Sequence, residues 1–496
     1  MSDQLILAID QGTSSTKTVL FDDQGRIKGK AASELNSYYP LPGYTEQNPH
    51  EIYNSVIKSV TECVKFFEES GGNVSNISAC GISNQRETFI LWDVDGEPLC
   101  NAIVWQCKRS VDICKRIKDT GLETEISEKT GLIIDPYFSG TKLVWLYENN
   151  SRVRQAIDDK KAYFGTVDTW LLYKLSNGTH YSTDHTNASR TLFFNLDTMQ
   201  WDQSLLHTFN LDNLQLPEIK PSSYSYGESD FAGLFSDKLP ISAMIGDSHA
   251  AAFGEGCFEP GTAKATLGTG SSILLNTGNK RVRSKSGMVS TICWSTPERV
   301  DYALEGIIVS AGATIKWLRD QVGLFAESSD TECMATSVKD NNGVYLIPAF
   351  SGLGAPHWKM DLTGTIVGLT FGATKNHIVR AALESIPYQV KDVITAMERD
   401  SDIPLAELKV DGGITANMFV MKYLSDLLGV DVVNIGLEEV SALGAAFMAG
   451  LEAGVFRDLE QLQSLHSTVN RYSPGPEVEN VHDCYRQWQA HIESMI

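Results

Sequence analysis

Three short apolar runs in this chain each end in a glycine-containing turn. Residues 5–9 lead into Asp10-Gln11-Gly12-Thr13-Ser14, residues 263–267 into Gly268-Thr269-Gly270, and residues 408–410 into Asp411-Gly412-Gly413. Small residues at a strand end leave backbone N–H groups free to face an anion, and the third turn opens a helix pattern whose N-terminus favours negative charge. Each turn alone is weak evidence, and the first turn alone is better explained as an ordinary hairpin. Three of them, spread over both halves, favour a nucleotide-binding protein.

Strand-like and helix-like patterns alternate along the whole sequence, which is typical of an α/β fold. Apolar residues recur at helical spacing over residues 51–69 and 377–398, and we expect Pro387 to kink the second helix. At 496 residues the chain exceeds the size of one ordinary core. Because each half opens with a strand and a Gly-Thr turn, we predict two similar domains, residues 1–253 and 254–496.

The charge balance excludes several classes of partner. The chain has 41 basic and 62 acidic residues, a net charge of −21, so we expect it to bind neither nucleic acid nor a membrane surface. No apolar stretch approaches the roughly 20 residues of a membrane span, and the N-terminus has no signal-peptide pattern. Nine scattered cysteines without a C-x-x-C pair indicate neither disulfides nor a zinc site. We therefore expect a cytoplasmic protein.

Two longer signatures narrow the interpretation. One is YFSGTKLVWL at residues 137–146, and the other is GTIVGL at residues 364–369, followed by HIVRAALE at residues 377–384. With the three turns, these strings make the chain resemble the FGGY carbohydrate kinases over nearly its whole length, and within them the glycerol kinases. The resemblance implies an actin–hexokinase architecture, in which two ribonuclease H-like lobes hold ATP in the cleft between them.

The resemblance also implies an activity and a nucleotide site. We expect ATP-dependent phosphorylation of glycerol, a small polyol, to glycerol 3-phosphate, with Mg²⁺ as cofactor, in a homodimer or homotetramer. Asp10 matches the family's phosphate-loop aspartate, so we expect it to hold Mg²⁺, directly or through water. The other positions matched to ATP and its phosphates are Thr13, Ser14, Ser15, Lys17, Thr269, Gly312, Gly413 and Asn417.

The family's polyol site matches five side chains of this sequence: Arg86, Glu87, Trp105, Tyr137 and Asp247. Hydroxyl groups both donate and accept hydrogen bonds, so a guanidinium, carboxylates and a phenol suit them, while an indole covers the carbon chain. We expect Asp247 to be the general base. Plainer interpretations are a helix N-cap for Asp247, a core position for Trp105, and a weak ion pair for Arg86 and Glu87.

Two positions depart from the glycerol kinase pattern. Ser248 stands where that group has a glutamine, and Ser272 stands where it has a phenylalanine. Both replacements are smaller and carry a hydroxyl, so the pocket is expected to be roomier and to suit a tetritol or a pentulose as the alternative substrate. We interpret His249, at a predicted helix start, as a surface or capping residue outside the site.

Two other functional classes are weaker alternatives. A catalytically silent nucleotide-binding protein on the same fold is disfavoured by the presence of Asp10, Thr269 and Asp247. A Rossmann oxidoreductase is disfavoured because no G-x-G-x-x-G follows the opening strand with an acidic residue about 20 positions later.

Overall fold

A computed structural model describes residues 4–437, 439–466, 470–476 and 478–496 of the chain. The strands of the first half are β1 (Leu5–Gln11), β2 (Ser15–Asp22), β3 (Ile27–Glu34), β4 (Glu46–Gln47), β5 (Ile77–Asn84), β6 (Phe89–Trp92), β7 (Ala102–Ile103), β8 (Tyr163–Thr166), β9 (Ser182–Asp184), β10 (Phe194–Asn195), β11 (Gln200–Trp201), β12 (Glu218–Lys220), β13 (Ser223–Ser229) and β14 (Leu239–Gly246). Its helices are α1 (Pro49–Glu69), α2 (Val111–Asp119), α3 (Glu123–Thr130), α4 (Ser139–Asn149), α5 (Ser151–Asp158), α6 (Val167–Leu175), α7 (His185–Ala188), α8 (Gln203–Thr208) and α9 (Asp247–Gly254).

The second half has the same mixture of elements. Its strands are β15 (Thr262–Leu267), β16 (Ser271–Gly278), β17 (Val289–Ser295), β18 (Val300–Ile308), β19 (Tyr345–Ile347), β20 (Thr365–Val367), β21 (Glu407–Asp411), β22 (Asp431–Asn434) and β23 (Asn470–Tyr472). Its helices are α10 (Gly312–Asp320), α11 (Asp330–Thr336), α12 (Lys375–Ser401), α13 (Met418–Leu428), α14 (Val440–Glu452), α15 (Leu459–Leu465) and α16 (Val478–Glu493). Helix α1 corresponds to the helix predicted over 51–69, and α12 to that over 377–398; α12 continues through Pro387.

The main sheet of the first half has six strands in the order β13-β14-β5-β1-β2-β3. Strand β5 runs parallel to both β1 and β14, whereas β1 and β2 form an antiparallel hairpin. In this register Asp10 pairs with Ser83, and Asn84 pairs with Gly246. Because parallel strands end at the same edge of a sheet, the segments that follow β1, β5 and β14 emerge side by side.

The second half repeats this arrangement. Its main sheet has the order β17-β18-β16-β15-β21-β22-β23, with an antiparallel hairpin of β15 and β16 and a parallel pair of β15 and β21. Thr266 pairs with Asp411, so the glycine turns that follow β15 and β21 lie at one edge. The α/β class predicted from the alternating patterns is confirmed.

Helices α9 and α14 pack against each other at very short range. Although α14 comes from the second half, it packs on β1, β5 and β14 of the first sheet. A Cβ atom at Gly444 of α14 would lie 1.8 Å from the carbonyl oxygen of Ala250 in α9, and one at Gly81 of β5 would lie 2.1 Å from that of Ala445. Only glycine lets two backbones approach this closely, so these contacts fix the position of α9.

Within the parts of the chain that the structure describes, no helix combines the length and the apolar character needed to cross a membrane.

We predict that Gly444→Ala lowers the free energy of unfolding by about 1–3 kcal/mol, because the added methyl group would overlap the Ala250 backbone. This loss is expected even though alanine is the better helix former. The matched control is Gly372→Ala, where the nearest atom to the new Cβ lies at 3.5 Å and the residue is exposed. Urea denaturation measures both; equal stabilities of the two variants would show that the α9–α14 contact relaxes freely.

Candidate active site

Two cavities lie at the carboxyl ends of β1, β14, β15 and β21. The first has a volume of about 660 Å³ and is lined by charged side chains from both halves, namely Asp10, Lys17, Asp247, Lys264, Asp411 and Glu439. The second has a volume of about 990 Å³, and its lining includes Thr269, Gly312, Ile315, Leu383, Asn417 and Met418. Gly413 and Ala416 line both cavities. A charged cavity beside a less polar one suits the phosphates and the base of a nucleotide.

Six of the predicted nucleotide positions therefore line the two cavities. Asp10 and Lys17 line the first, Thr269, Gly312 and Asn417 the second, and Gly413 both. Thr13, Ser14 and Ser15, which the structure also describes, lie outside both linings.

Asp10 lies near the end of β1 and points toward the charged cavity. Its carboxylate accepts a hydrogen bond from the Ser83 hydroxyl at 3.1 Å. Burial raises the pKa of Asp10 to about 7, and the negative charge of Asp247 adds to this shift, whereas Lys17 opposes it. A carboxylate that is costly to leave ionised is one that a bound cation would stabilise.

Lys17 is already engaged by a carboxylate. Its ammonium lies 2.8 Å from Glu439, which also forms an ion pair with Lys30 at 2.5 Å. Burial acts to raise the pKa of Glu439, but the hydrogen bonds from the two lysines outweigh it and lower the pKa below its ordinary value. This contact joins the β1–β2 hairpin to the residue before α14, a link that no pattern in the sequence predicted.

Thr13 connects the hairpin turn to the predicted polyol site. Its hydroxyl accepts a hydrogen bond from the Trp105 indole N–H at 2.9 Å and donates to the Gln85 side chain at 3.3 Å. The Gln47 side chain donates to the Thr13 carbonyl at 2.7 Å. The indole of Trp105 meets the ring of Tyr137 edge-on, with centroids 5.6 Å apart. The turn thus holds the indole of Trp105 against Tyr137.

Arg86 and Glu87 belong to a buried network of four charges. Arg86 lies 2.8 Å from Glu305, while Arg190 lies 2.5 Å from Glu87 and 2.7 Å from the other oxygen of Glu305. The distance between Arg86 and Glu87 themselves is 3.9 Å. All four side chains are at most 4% exposed. The interpretation of Arg86 and Glu87 as a weak, solvated ion pair is wrong, because each has a closer buried partner.

The pKa of the shared carboxylate follows from this geometry. Burial acts to raise the pKa of Glu305, but the two guanidinium groups outweigh it and hold that pKa well below its ordinary value. For Glu87 burial prevails over the arginines, and its pKa is raised. Sequence reasoning missed Arg190 and Glu305. The available signal for Glu305 was an acidic residue in the middle of β18, between the apolar residues Leu304 and Ile307.

Asp247 is the first residue of α9 and lies between Arg86 and the charged cavity. Its carboxylate lies 3.2 Å from Nε of Arg86, accepts the backbone N–H of Ser248 at 2.6 Å, and is 38% exposed. The N-cap position belongs to Gly246, so the N-cap interpretation of Asp247 is wrong by one residue. The carboxylate is held from one side and open to the cavity on the other.

The three positions singled out around Asp247 differ in their surroundings. Ser248 lines the charged cavity, and the Ser272 hydroxyl donates to Glu305 at 3.1 Å. His249 is fully buried, with Nε2 3.4 Å from the Thr291 hydroxyl. Burial, followed by the charge of Arg86, holds the pKa of His249 well below its ordinary value. Its interpretation as a surface or capping residue is wrong, because α9 turns this side chain inward.

We predict that Glu305→Gln lowers the free energy of unfolding by about 3–5 kcal/mol, because Arg86 and Arg190 would lose the anion they share in the interior. Glu259→Gln, the same change at an exposed position, is the control. Chemical denaturation at neutral pH measures both variants. A loss below about 1 kcal/mol at Glu305 would mean that the guanidinium groups find water or other acceptors.

Comparisons with known proteins match nearly the whole chain to one family. Residues 5–254 match the N-terminal domain of the FGGY family of carbohydrate kinases, and residues 263–453 match its C-terminal domain. The chain is 46% identical to a glycerol kinase of Carboxydothermus hydrogenoformans, covering 99% of this chain and 98% of that one. It is 44% identical to glycerol kinase 2 of Thermotoga maritima, with 98% of each covered.

Solved structures agree with this assignment. A crystal structure of Plasmodium falciparum glycerol kinase with ADP superposes with a TM-score of 0.94 at 34% identity, covering 99% of this chain and 98% of that one. A xylulose kinase from Lactobacillus acidophilus, at 22% identity, shares the fold with a TM-score of 0.89 over 99% of this chain and 98% of that one. The two-lobed architecture and the family predicted from the signatures are confirmed: the chain belongs to the FGGY family of carbohydrate kinases.

Proposed function

We propose that this protein transfers the γ-phosphoryl group of ATP to glycerol and forms glycerol 3-phosphate. The observation that carries the proposal is the position of Asp247, whose partly exposed carboxylate lines the charged cavity and also contacts Arg86 of the polyol cluster. The glycerol kinases that match along nearly the whole chain support the same substrate. The function predicted from the sequence agrees with both.

The side chains around Asp247 have complementary tasks in this reaction. Arg86 donates hydrogen bonds to the substrate hydroxyls, and Glu87 accepts them. Trp105 and Tyr137 cover the carbon chain and exclude water. Asp247 accepts the proton of the attacking hydroxyl as the phosphoryl group moves toward it. Positioning and charge stabilisation account for most of the catalysis in phosphoryl transfer, so little further covalent chemistry is required of the protein.

The nucleotide occupies the two joined cavities in this proposal. The triphosphate lies in the charged cavity beside Lys17 and Lys264, and the base lies beside Thr269, Gly312 and Asn417. The similar glycerol kinase from Plasmodium falciparum was crystallised with ADP, which supports ATP as the phosphoryl donor here. For Thr13, Ser14 and Ser15 contact with the phosphates stays a prediction. These residues lie at the turn of the β1–β2 hairpin, which could approach the phosphates from outside the cavity lining.

We propose Mg²⁺ as the cofactor, held chiefly by Asp10. Magnesium is usually bound by one or two carboxylates together with substrate phosphates, and the charged cavity offers Asp10 with Asp247 nearby. Among the described residues no group of three His, Cys, Asp or Glu side chains could hold a metal, which fits a site completed by phosphate and water. When bound, the ion neutralises charge on the phosphates.

A second candidate is a kinase for a longer polyol or a ketose, such as a tetritol or a pentulose. The favouring observation is Ser272, whose hydroxyl bonds to Glu305 beside Arg86. This places a polar group against the polyol cluster, where another hydroxyl of a longer substrate could bind. Ser248 adds a second small polar side chain on the cavity side.

A substrate panel tests the proposal. The enzyme is incubated with ATP, Mg²⁺ and glycerol, erythritol, threitol, dihydroxyacetone or a pentulose, and kcat/KM is measured for each. We expect glycerol to rank first. A tetritol or pentulose that exceeds glycerol tenfold or more would replace glycerol in the proposal, and absence of turnover with all of them would favour a catalytically silent protein.

Asp247→Asn is expected to lower kcat about 10²- to 10⁴-fold, because the general base is lost while the shape of the side chain is kept. The dissociation constant for ADP should stay close to that of the unmodified enzyme. Asp237→Asn, at an exposed position of a surface loop, is the control for the loss of one negative charge. Unchanged turnover of Asp247→Asn would remove this carboxylate from its role.

The raised pKa of Asp10 predicts a pH-dependent affinity for Mg²⁺. Below about pH 7 a proton competes with the cation for this carboxyl group, so the Mg²⁺ concentration needed for tight ADP binding should rise as pH falls from 8 to 6, by at most about tenfold per pH unit. Calorimetric titration of ADP at several Mg²⁺ concentrations measures this. Asp10→Asn serves as the control for titration of the nucleotide itself, and an identical pH profile in both proteins would contradict the prediction.

We further propose domains at residues 1–253 and 254–496, a homodimer or homotetramer, and a cytoplasmic location. The first family match ends at residue 254, one residue past this division, and the second begins at residue 263. The exposed apolar side chains of Met360, Leu369 and Phe371 support an interface between copies, which light scattering of the purified protein can test.

The nine cysteines are all unpaired, which supports a reducing compartment.

A further inference from the structure

One short segment, residues 184–191, contacts the ends of β5 and β14, the two strands that lead into Arg86 and Asp247 of the proposed polyol site. It begins at Asp184, forms the single turn α7, and ends in Arg190 and Thr191. Apart from the partly exposed His185, its side chains are at most 1% exposed. A polar segment this deeply buried needs a partner for each of its hydrogen-bonding groups.

Thr186 bonds to the residue that precedes the proposed base. Its hydroxyl accepts the backbone N–H of Gly246 at 2.8 Å and donates to the Asp184 carboxylate at 2.8 Å. Because the carboxylate can only accept, the hydroxyl proton is directed to Asp184, and its lone pair is left for Gly246. The start of α9, and with it Asp247, is thereby tied to α7.

Asn187 bonds to the end of β5, the strand that Arg86 and Glu87 follow. Its side-chain amide exchanges two hydrogen bonds with the amide of Asn84, at 2.9 and 3.1 Å. Asn84 is the last residue of β5 and lies two positions before Arg86. The reciprocal amide pair therefore fixes the direction in which the chain leaves the strand.

Asp184 anchors both contacts from behind. Its two oxygens accept the backbone N–H groups of Thr186 and Asn187, both at 2.9 Å, and the Ser222 hydroxyl at 2.7 Å. The Asn187 amide also donates to it, at 2.8 Å. A carboxylate with this many donors holds α7 in one orientation, so both bridging side chains are directed by the same group.

We propose that segment 184–191 is a positioning element, in which Thr186 places the Asp247 carboxylate for proton transfer and Asn187 places Arg86 and Glu87 for polyol binding. This inference rests on the proposed kinase activity. Neither residue needs to contact substrate, because each acts through the backbone of a neighbouring strand end. The two bonds serve different groups, so their loss should affect different kinetic constants.

The first test is Thr186→Val, which keeps the shape of the side chain and removes its hydroxyl. We expect kcat for glycerol to fall about 10- to 100-fold, since a displacement of about 1 Å at a reacting group has an effect of this size, while KM changes less than about threefold. Thr186→Ser restores the hydroxyl and should restore most of kcat. Thr191→Val is the matched control, because the contacts of this buried hydroxyl are local: it donates to the Ala188 carbonyl at 2.8 Å and accepts the Phe193 N–H at 3.5 Å.

The second test removes the amide pair from either side. Asn187→Ala and Asn84→Ala should each raise KM for glycerol about tenfold with a smaller effect on kcat. The double variant should be less impaired than the product of the two single effects, since the amide pair is shared between them. If one of the two asparagine variants does not fold, the other still tests the amide pair. Likewise, Thr186→Ala replaces Thr186→Val if the valine variant does not fold. Thermal midpoints and ADP affinity are recorded for every protein.

The outcomes separate this inference from the proposed function. If the unmodified enzyme does not phosphorylate glycerol, the proposed function fails, and the same variants are assayed with whichever substrate ranks first. If the enzyme is active but Thr186→Val and Thr191→Val change kcat and KM alike, in proportion to their loss of thermal stability, segment 184–191 is only structural and the inference is overturned. A divided effect on kcat and KM that Thr186→Ser reverses supports it.

Discussion

The four buried charges of Arg86, Glu87, Arg190 and Glu305 are the interaction on which the arrangement of the site depends. An ion taken out of water costs several kcal/mol unless an opposite charge faces it at close range, so none of the four can move alone. Arg86 and Glu87 follow a strand of the first sheet, whereas Glu305 lies in a strand of the second. A shift of either sheet would separate a pair, and the network therefore holds Arg86 and Glu87 in a fixed position relative to the two cavities.

The same network explains how the Asp247 carboxylate can be oriented and yet remain open to the charged cavity. Arg86 directs Nη2 to Glu305 and has Nε left for Asp247 at 3.2 Å. Asp247 thus has a cation on its inner side, while its outer side is open to the charged cavity. The close contact of Gly444 with Ala250 holds α9, which begins at Asp247. Electrostatics orients the side chain, and backbone packing places the helix from which it extends.

Sequence reasoning succeeded where the signal is local. Apolar runs and helical spacing predicted several of the strands and helices, and the glycine turns were placed correctly at strand ends. It failed for Arg190 and Glu305, whose partners lie more than 100 positions away, in pairings that no local pattern encodes. It also failed for His249, because the burial of that side chain depends on the packing of α9 against the second sheet. The resemblance to the family identified Arg86, Trp105 and Tyr137 as candidates, which periodicity alone could not distinguish from core or surface residues.

The charges of the cavity also bear on the cofactor. Lys17 already faces Glu439 at 2.8 Å, and Lys264 lies 3.9 Å from Asp411, so both lysines that line the cavity have a carboxylate within reach. A triphosphate entering there would add negative charge beside Asp10 and Asp247, whose mutual repulsion already contributes to the raised pKa of Asp10. Like charges at this range oppose binding in a site of low dielectric constant. A divalent cation held by Asp10 would reduce this repulsion, so the acidic lining of the cavity is consistent with the proposed Mg²⁺ site.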